Sequence, residues 1–289
     1  AATDAEYVWT GKSSDKWNIA DNNWVSAGDS TVDTRFTPFA NACFTENAKQ
    51  QSVSVADSGV ILNNMTVESG AYTFNGGALS VVGEFFVDKS ASVTFNTKPQ
   101  SLGTAVVAGT LNIGFSGVWN QNMDAAGGII NKTASGELVW NPDSAQLTAA
   151  ALNVLSGTLK TSAALQVDTM QINSGSGVTL NHAAGLESTI GTISGSGTLL
   201  KDAAGSLTLD NAELASLTLK GGSTSIEGTV NIAGQLSIGK ENLVLEEGAC
   251  VKAAQYTAGN TADGQASFVT INKGASLTIT GEYKGDKTE

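Results

Sequence analysis

From about residue 51 onward, apolar and polar residues alternate in short runs, separated by turns rich in Ser, Gly, Thr and Asn. Residues 111–113 (LNI), 230–232 (VNI) and 236–238 (LSI) each read apolar-polar-apolar, and 243–245 (LVL) is a further short apolar run. That period of two belongs to a strand with one buried face. Ser-Gly, Gly-Gly and Gly-Thr pairs punctuate the runs as turns do. No stretch carries a sustained helical stripe with caps. The predicted elements are therefore many short strands and no helix.

The runs also recur. INSGSGVTLN begins at Ile172, and near-copies begin at Val67, Val87, Ile130, Ile193 and Ile271. Taking the last apolar residue of each strand, the anchors are Phe74, Phe95, Trp119, Trp140, Leu159, Leu180, Leu200, Leu219 and Ile238. They are separated by 21, 24, 21, 19, 21, 20, 19 and 19 residues. Strands this short cannot each bury a face alone, but a chain that winds with this period stacks every turn on the one before. The pattern predicts a parallel β-solenoid of about 20 residues per coil. A β-sandwich, the rival all-β architecture, does not require one phrase at one phase in each repeat.

The phase assigns faces. Phe74, Phe95, Trp119, Trp140, Leu180 and Leu200 are expected to stack inside. Asn75, Asn96, Asn120, Asn141 and Asn181, each one residue later, are expected in a corner column whose amides bond along the axis. Trp119 and Trp140 are read as core. Lys160, Lys201 and Lys220 recur with the period and are read as solvated turn residues.

At GSGTLLKDAAGSLTLDNA, residues 195–212, the chain resembles the repeat of bacterial autotransporter passengers, the autotransporter-associated β-strand repeat. Gly195, Gly197, Leu199 and Lys201 match its first half, and Gly205, Leu207 and Leu209 its second. YVWTGKSSDKWNIADNNW, residues 7–24, is similar to the opening phrase of large secreted proteins that carry such repeats. The resemblance implies an all-β, right-handed, single-stranded parallel β-helix, exported to the cell surface or the extracellular space. The close match covers about a sixth of the chain and says almost nothing of activity. No translocator barrel is visible in it, and the small residues of AATDAEYVW suit the position just after a removed leader.

Residues 1–50 lie outside the repeat and hold Trp9, Trp17, Trp24 and the only arginine, Arg35. They are expected to form an N-terminal cap over the first coil, which otherwise exposes strand edges. Residues 51–289 are expected to be the coils, with a loop insertion near 253–267 that breaks the rhythm.

Composition narrows the function classes. The 289-residue chain has a formal net charge of −12 and 15% charged residues. It lacks the positive footprint of nucleic-acid binding, and its acidity argues against adsorption to anionic membranes. No apolar run is long enough to span a bilayer as a helix. The two cysteines, Cys43 and Cys250, are expected as free thiols buried as small hydrophobes. His182, the single histidine, is read as a surface residue. With no clustered Cys or His, neither metal nor cofactor is expected.

A β-helix that cleaves polyanions needs a base and cations, which this acidic chain does not offer within its coils. A glycoside hydrolase needs two carboxylates across a cleft. Asp143, Asp168, Glu187, Asp202 and Asp210 are available but form no close pattern, and no nucleophile elbow is present. No catalytic residue is therefore assigned. The favoured function is a non-catalytic exported β-helix, a cell-surface stalk or adhesin-like passenger whose partner is a glycan or host-surface ligand. The alternative is a carbohydrate-binding or carbohydrate-degrading module on the same scaffold. Candidate binding residues are Trp9, Trp17 and Trp24, whose rings would stack on sugar faces; packing within the cap is the competing and favoured role for them.

Overall fold

The structure is a computed structural model that describes residues 6–258 and 267–284. The described residues contain strands and turns and no helix. The fold is a parallel β-solenoid of about 11 turns with roughly 20 residues per coil. Two compact units divide it, residues 1–134 and residues 135–289.

In the second unit each coil carries three short strand segments, and each segment pairs in parallel with its counterpart one coil later. Residues 187–190 pair with 206–209, these with 223–226, and these with 242–245. On the next side, residues 212–214 pair with 230–232, which pair with 251–253. On the third, residues 177–180 pair with 198–201, and these with 216–219. Pairing between coils satisfies backbone groups that a short strand alone leaves open. Alternation then sends every second side chain inward, as in Ser206–Leu214, where Leu207, Leu209, Ala212 and Leu214 are buried.

The first unit opens with strands that do not follow this rule. Glu6–Trp9 pairs antiparallel with Trp24–Ser26, which pairs antiparallel with Asp29–Thr34. Parallel stacking begins inside the predicted cap: Asn41–Phe44 pairs with both Glu6–Trp9 and Met65–Val67. Coils follow through residues 70–74, 91–95, 110–113 and 129–132.

The inward columns differ from the expected ones at particular positions. In the first unit, Phe74 stacks on Phe95, but Ile113 and then Lys132 continue that column. Trp119 is buried elsewhere, with its ring edge-on to Phe115 at 5.2 Å. In the second unit the column runs Trp140, Thr161, Leu180, Lys201, Leu219 and Ile238. Leu159 is buried one column over, beside Leu138 and Val178. Leu200 is opposite Thr179, an outward position, so it does not stack inside. The cause is the extra leucine of Thr198-Leu199-Leu200-Lys201 against Thr158-Leu159-Lys160-Thr161. Register aligns the two segments at Thr158 and at Thr198, so Lys201 falls where Thr161 falls, inside.

The corner ladder forms where Asn96 Nδ2 donates to Asn75 Oδ1 at 2.8 Å, and a second amide pair joins Asn131 Nδ2 to Asn112 Oδ1 at 2.8 Å. Asn141 instead accepts from the backbone N–H of Ser162 at 3.2 Å. Within INSGSGVTLN, Ile172 closes one strand and Val178 and Leu180 lie in the next. Gly175 turns the corner between them at φ +76°, a left-handed conformation that suits glycine. One coil later Gly195 has φ +108°, and a Cβ there would lie 2.2 Å from the carbonyl oxygen of Ile172.

The expected loop near 253–267 does not include its first six residues. Residues 253–258 belong to the strand Cys250–Ala258, which pairs in parallel with residues 229–238, with a register shift between Ile232 and Gln235. The remainder, residues 259–266, lies outside the described residues.

Candidate functional site

Aromatic residues crowded into the first forty positions tend to collapse onto each other, and the three tryptophans and Phe36 do so. Trp9, Trp17 and Trp24 are 1%, 0% and 0% exposed. Trp24 sits at the centre, with ring centroids 5.1 Å from Trp9 and from Trp17 and 4.9 Å from Phe36. Phe44 carries the cluster on to Tyr72 and Phe74, at 5.0 and 5.3 Å. These faces pack on aromatic neighbours and offer none to a sugar, so Trp9, Trp17 and Trp24 take the favoured packing role and not that of a glycan platform.

Asn23, immediately before Trp24, is also fully buried. Its Oδ1 accepts the backbone N–H groups of Ser13 and Ser14 at 2.9 and 2.8 Å. Its Nδ2 donates to Ser14 Oγ and to the Lys16 carbonyl, both at 2.8 Å. All four bonding positions of the amide are used, so it ties the turn of residues 13–16 to the strand that carries Trp24.

The second unit holds a polar cluster inside its coils. Lys201 and Glu241 have side chains with no exposed surface, and Nζ lies 3.1 Å from Oε2 and 3.2 Å from Oε1. Thr224 Oγ1 donates to Glu241 Oε1 at 2.8 Å. Lys201 Nζ also donates to the Gly221 carbonyl, and to that of Ala203 at 3.4 Å. Burial pushes the Lys201 amine down and the Glu241 carboxyl up, each towards its neutral form, while their mutual attraction opposes this. The expectation of Lys201 as a solvated turn residue is thus corrected. Lys160 is half-buried and Lys220 is exposed, paired with Asp202 at 2.9 Å. Lys132, in the first unit, is buried too and likewise donates to the carbonyl two residues on, that of Ala134.

His182 is 1% exposed, not a surface residue. Its Nε2 lies 2.8 Å from the Ser206 carbonyl oxygen. Burial depresses its pKa, the Lys201 charge adds to that, and the Ser206 carbonyl opposes it. Cys43 is buried and its thiol is pushed up to about 12, mainly by burial. Cys250, expected to be buried, is exposed, because its position in Cys250–Ala258 points outward between Thr229 and Ser276.

Outside the second unit lie two shallow depressions. One, of about 230 Å³, is floored by Val244 and edged by Glu187, Ser206, Thr208, Ser223 and Ser225. Glu187 Oε1 accepts from Thr208 Oγ1 at 2.8 Å, and Ser225 Oγ donates to Glu246 Oε1 at 2.6 Å. The other, of about 470 Å³, includes Glu213, Asn231, Lys252 and Thr280. There Asn231 Nδ2 donates to Glu213 Oε1 at 2.7 Å. Of the other carboxylates considered, Asp143, Asp168 and Asp202 are exposed on turns or strand faces, and Asp210 is half-buried. Among the described residues no three His, Cys, Asp or Glu side chains converge as metal ligands would.

Compared with protein families, with curated proteins and with solved structures, the chain has no significant match. The Lys201–Glu241–Thr224 cluster had no signal in the alternation pattern. The one available clue was the doubled leucine before Lys201, which shifts that lysine from an outward to an inward phase.

Proposed function

We propose that the chain is a non-catalytic exported β-solenoid, a cell-surface stalk or adhesin-like passenger of the autotransporter kind, which binds a glycan or host-surface ligand along its outer sides. The observation that carries this reading is the division of labour across each strand. Inward positions are consumed by stacking, while outward positions present hydroxyl and amide side chains in register from coil to coil, such as Thr189, Thr208 and Ser225. Such a surface suits extended, repetitive contact with a hydroxylated ligand better than enclosure of a small substrate. The −12 net charge favours neutral or cationic ligands over polyanions. Binding of the purified chain to an array of neutral glycans and to host-type cell surfaces tests it. No binding to either, together with retention of the precursor inside the cell, would refute it.

The alternative, a carbohydrate-degrading module, draws on the depression edged by Glu187 and by Ser225, whose hydroxyl donates to Glu246. Release of reducing sugar from a polysaccharide panel, lost in Glu187→Gln and Glu246→Gln, would replace the non-catalytic reading with this one.

A further inference from the structure

Lys201 and Glu241 are held in contact from two different coils, with no water-accessible surface on either side chain. The amine nitrogen is 3.1 Å from one carboxyl oxygen and 3.2 Å from the other. Its position is fixed by the Gly221 carbonyl, which accepts one of its hydrogens. The carboxyl is fixed by Thr224 Oγ1, which donates to Oε1 at 2.8 Å. We propose that in the mature folded protein these side chains are condensed into an isopeptide bond between Lys201 Nζ and Glu241 Cδ.

The step needs no other reactant. Burial favours the neutral amine and the neutral acid, and a proton passed from Nζ to Oε2 along their contact produces both. The Nζ lone pair then attacks Cδ, and the carbonyl electrons move onto Oε1, where the Thr224 hydroxyl stabilises them. A second proton leaves Nζ for Oε2, the Cδ–Oε2 bond breaks, and one water departs as the Cδ–Oε1 double bond re-forms. The product amide keeps one N–H, which the Gly221 carbonyl accepts. Fixed proximity replaces the activated ester that amide synthesis in water needs. A dry interior also disfavours hydrolysis back to the acid. A buried ion pair of this kind is at best neutral for stability against well-packed apolar side chains of similar volume.

Mass spectrometry of the wild-type chain tests this directly and does not depend on the function proposed above. The folded protein is expected to be lighter than its sequence by one water. Trypsin is expected to leave Lys201 uncut and to yield a branched peptide joining residues 161–220 to residues 241–252. Lys201→Met is expected to restore the full mass. A wild-type chain of full mass, cut after Lys201 and releasing residues 241–252 unattached, would overturn the proposal whether or not the variant folds.

Discussion

The Nε2 of His182 lies 2.8 Å from the carbonyl oxygen of Ser206, one coil further along the chain. The imidazole reaches that oxygen through space that Gly205 leaves open. A Cβ at position 205 would lie 2.2 Å from His182 Cδ2 and 2.6 Å from Nε2. Gly205→Ala is therefore expected to destabilise the second unit by about 1–3 kcal/mol, the usual cost of overpacking. Urea unfolding followed by circular dichroism measures it, and an unchanged midpoint would show that the ring moves freely aside.

The same histidine sets a pH dependence. Its folded pKa lies below the ordinary 6.5, first because of burial. The unfolded chain therefore takes up a proton that the folded chain refuses. Stability from this group is full above about pH 6.5 and is lost as pH falls below it, until the folded pKa is reached. Urea midpoints of wild type and His182→Gln, compared from pH 8 to pH 5, are expected to converge on the acid side. A constant gap would assign the effect to other groups.

Asn23 and Trp24 hold the N-terminal segment by different means. Asn23→Ala leaves the backbone N–H groups of Ser13 and Ser14 without their acceptor, a loss of about 1 kcal/mol for each hydrogen bond. Trp24→Ala empties the middle of the aromatic cluster and is expected to cost about 3–5 kcal/mol. Near-ultraviolet circular dichroism, which reports the packed indoles, is expected to collapse in Trp24→Ala. If Trp24→Ala kept wild-type stability while abolishing glycan binding, the buried role described here would be wrong.

The thiols separate cleanly. Cys250 is expected to react with a chromogenic disulfide reagent within minutes in the native protein, and Cys43 only after denaturation. The burial that raises the Cys43 pKa also blocks approach of the reagent. Two fast equivalents in the native state would contradict the packing of Asn41–Phe44.

Much of the architecture was legible in the order of residues alone. A strand period of two, repeated about every 20 residues, leaves stacked parallel coils as the economical way to bury Phe74, Phe95, Trp140, Leu180 and Ile238. The first fifty residues likewise stand outside the repeat, and there Glu6–Trp9, Trp24–Ser26 and Asp29–Thr34 pair antiparallel. These features follow from local alternation and from backbone groups that need partners, both of which are written in sequence.

What the order of residues left undecided was phase at the strand ends and depth at the corners. Lys201 and Leu200 exchange inside for outside through one added residue, and nothing local records which of them the neighbouring coil will accept. Whether Lys201 can enter depends on Glu241 and Thr224, distant in sequence, arriving beside it. Whether His182 can enter depends on the absence of a side chain at Gly205. Those pairings exist only once the coils are stacked, so the interior polar cluster, the buried His182 and the outward thiol of Cys250 were decided by tertiary structure.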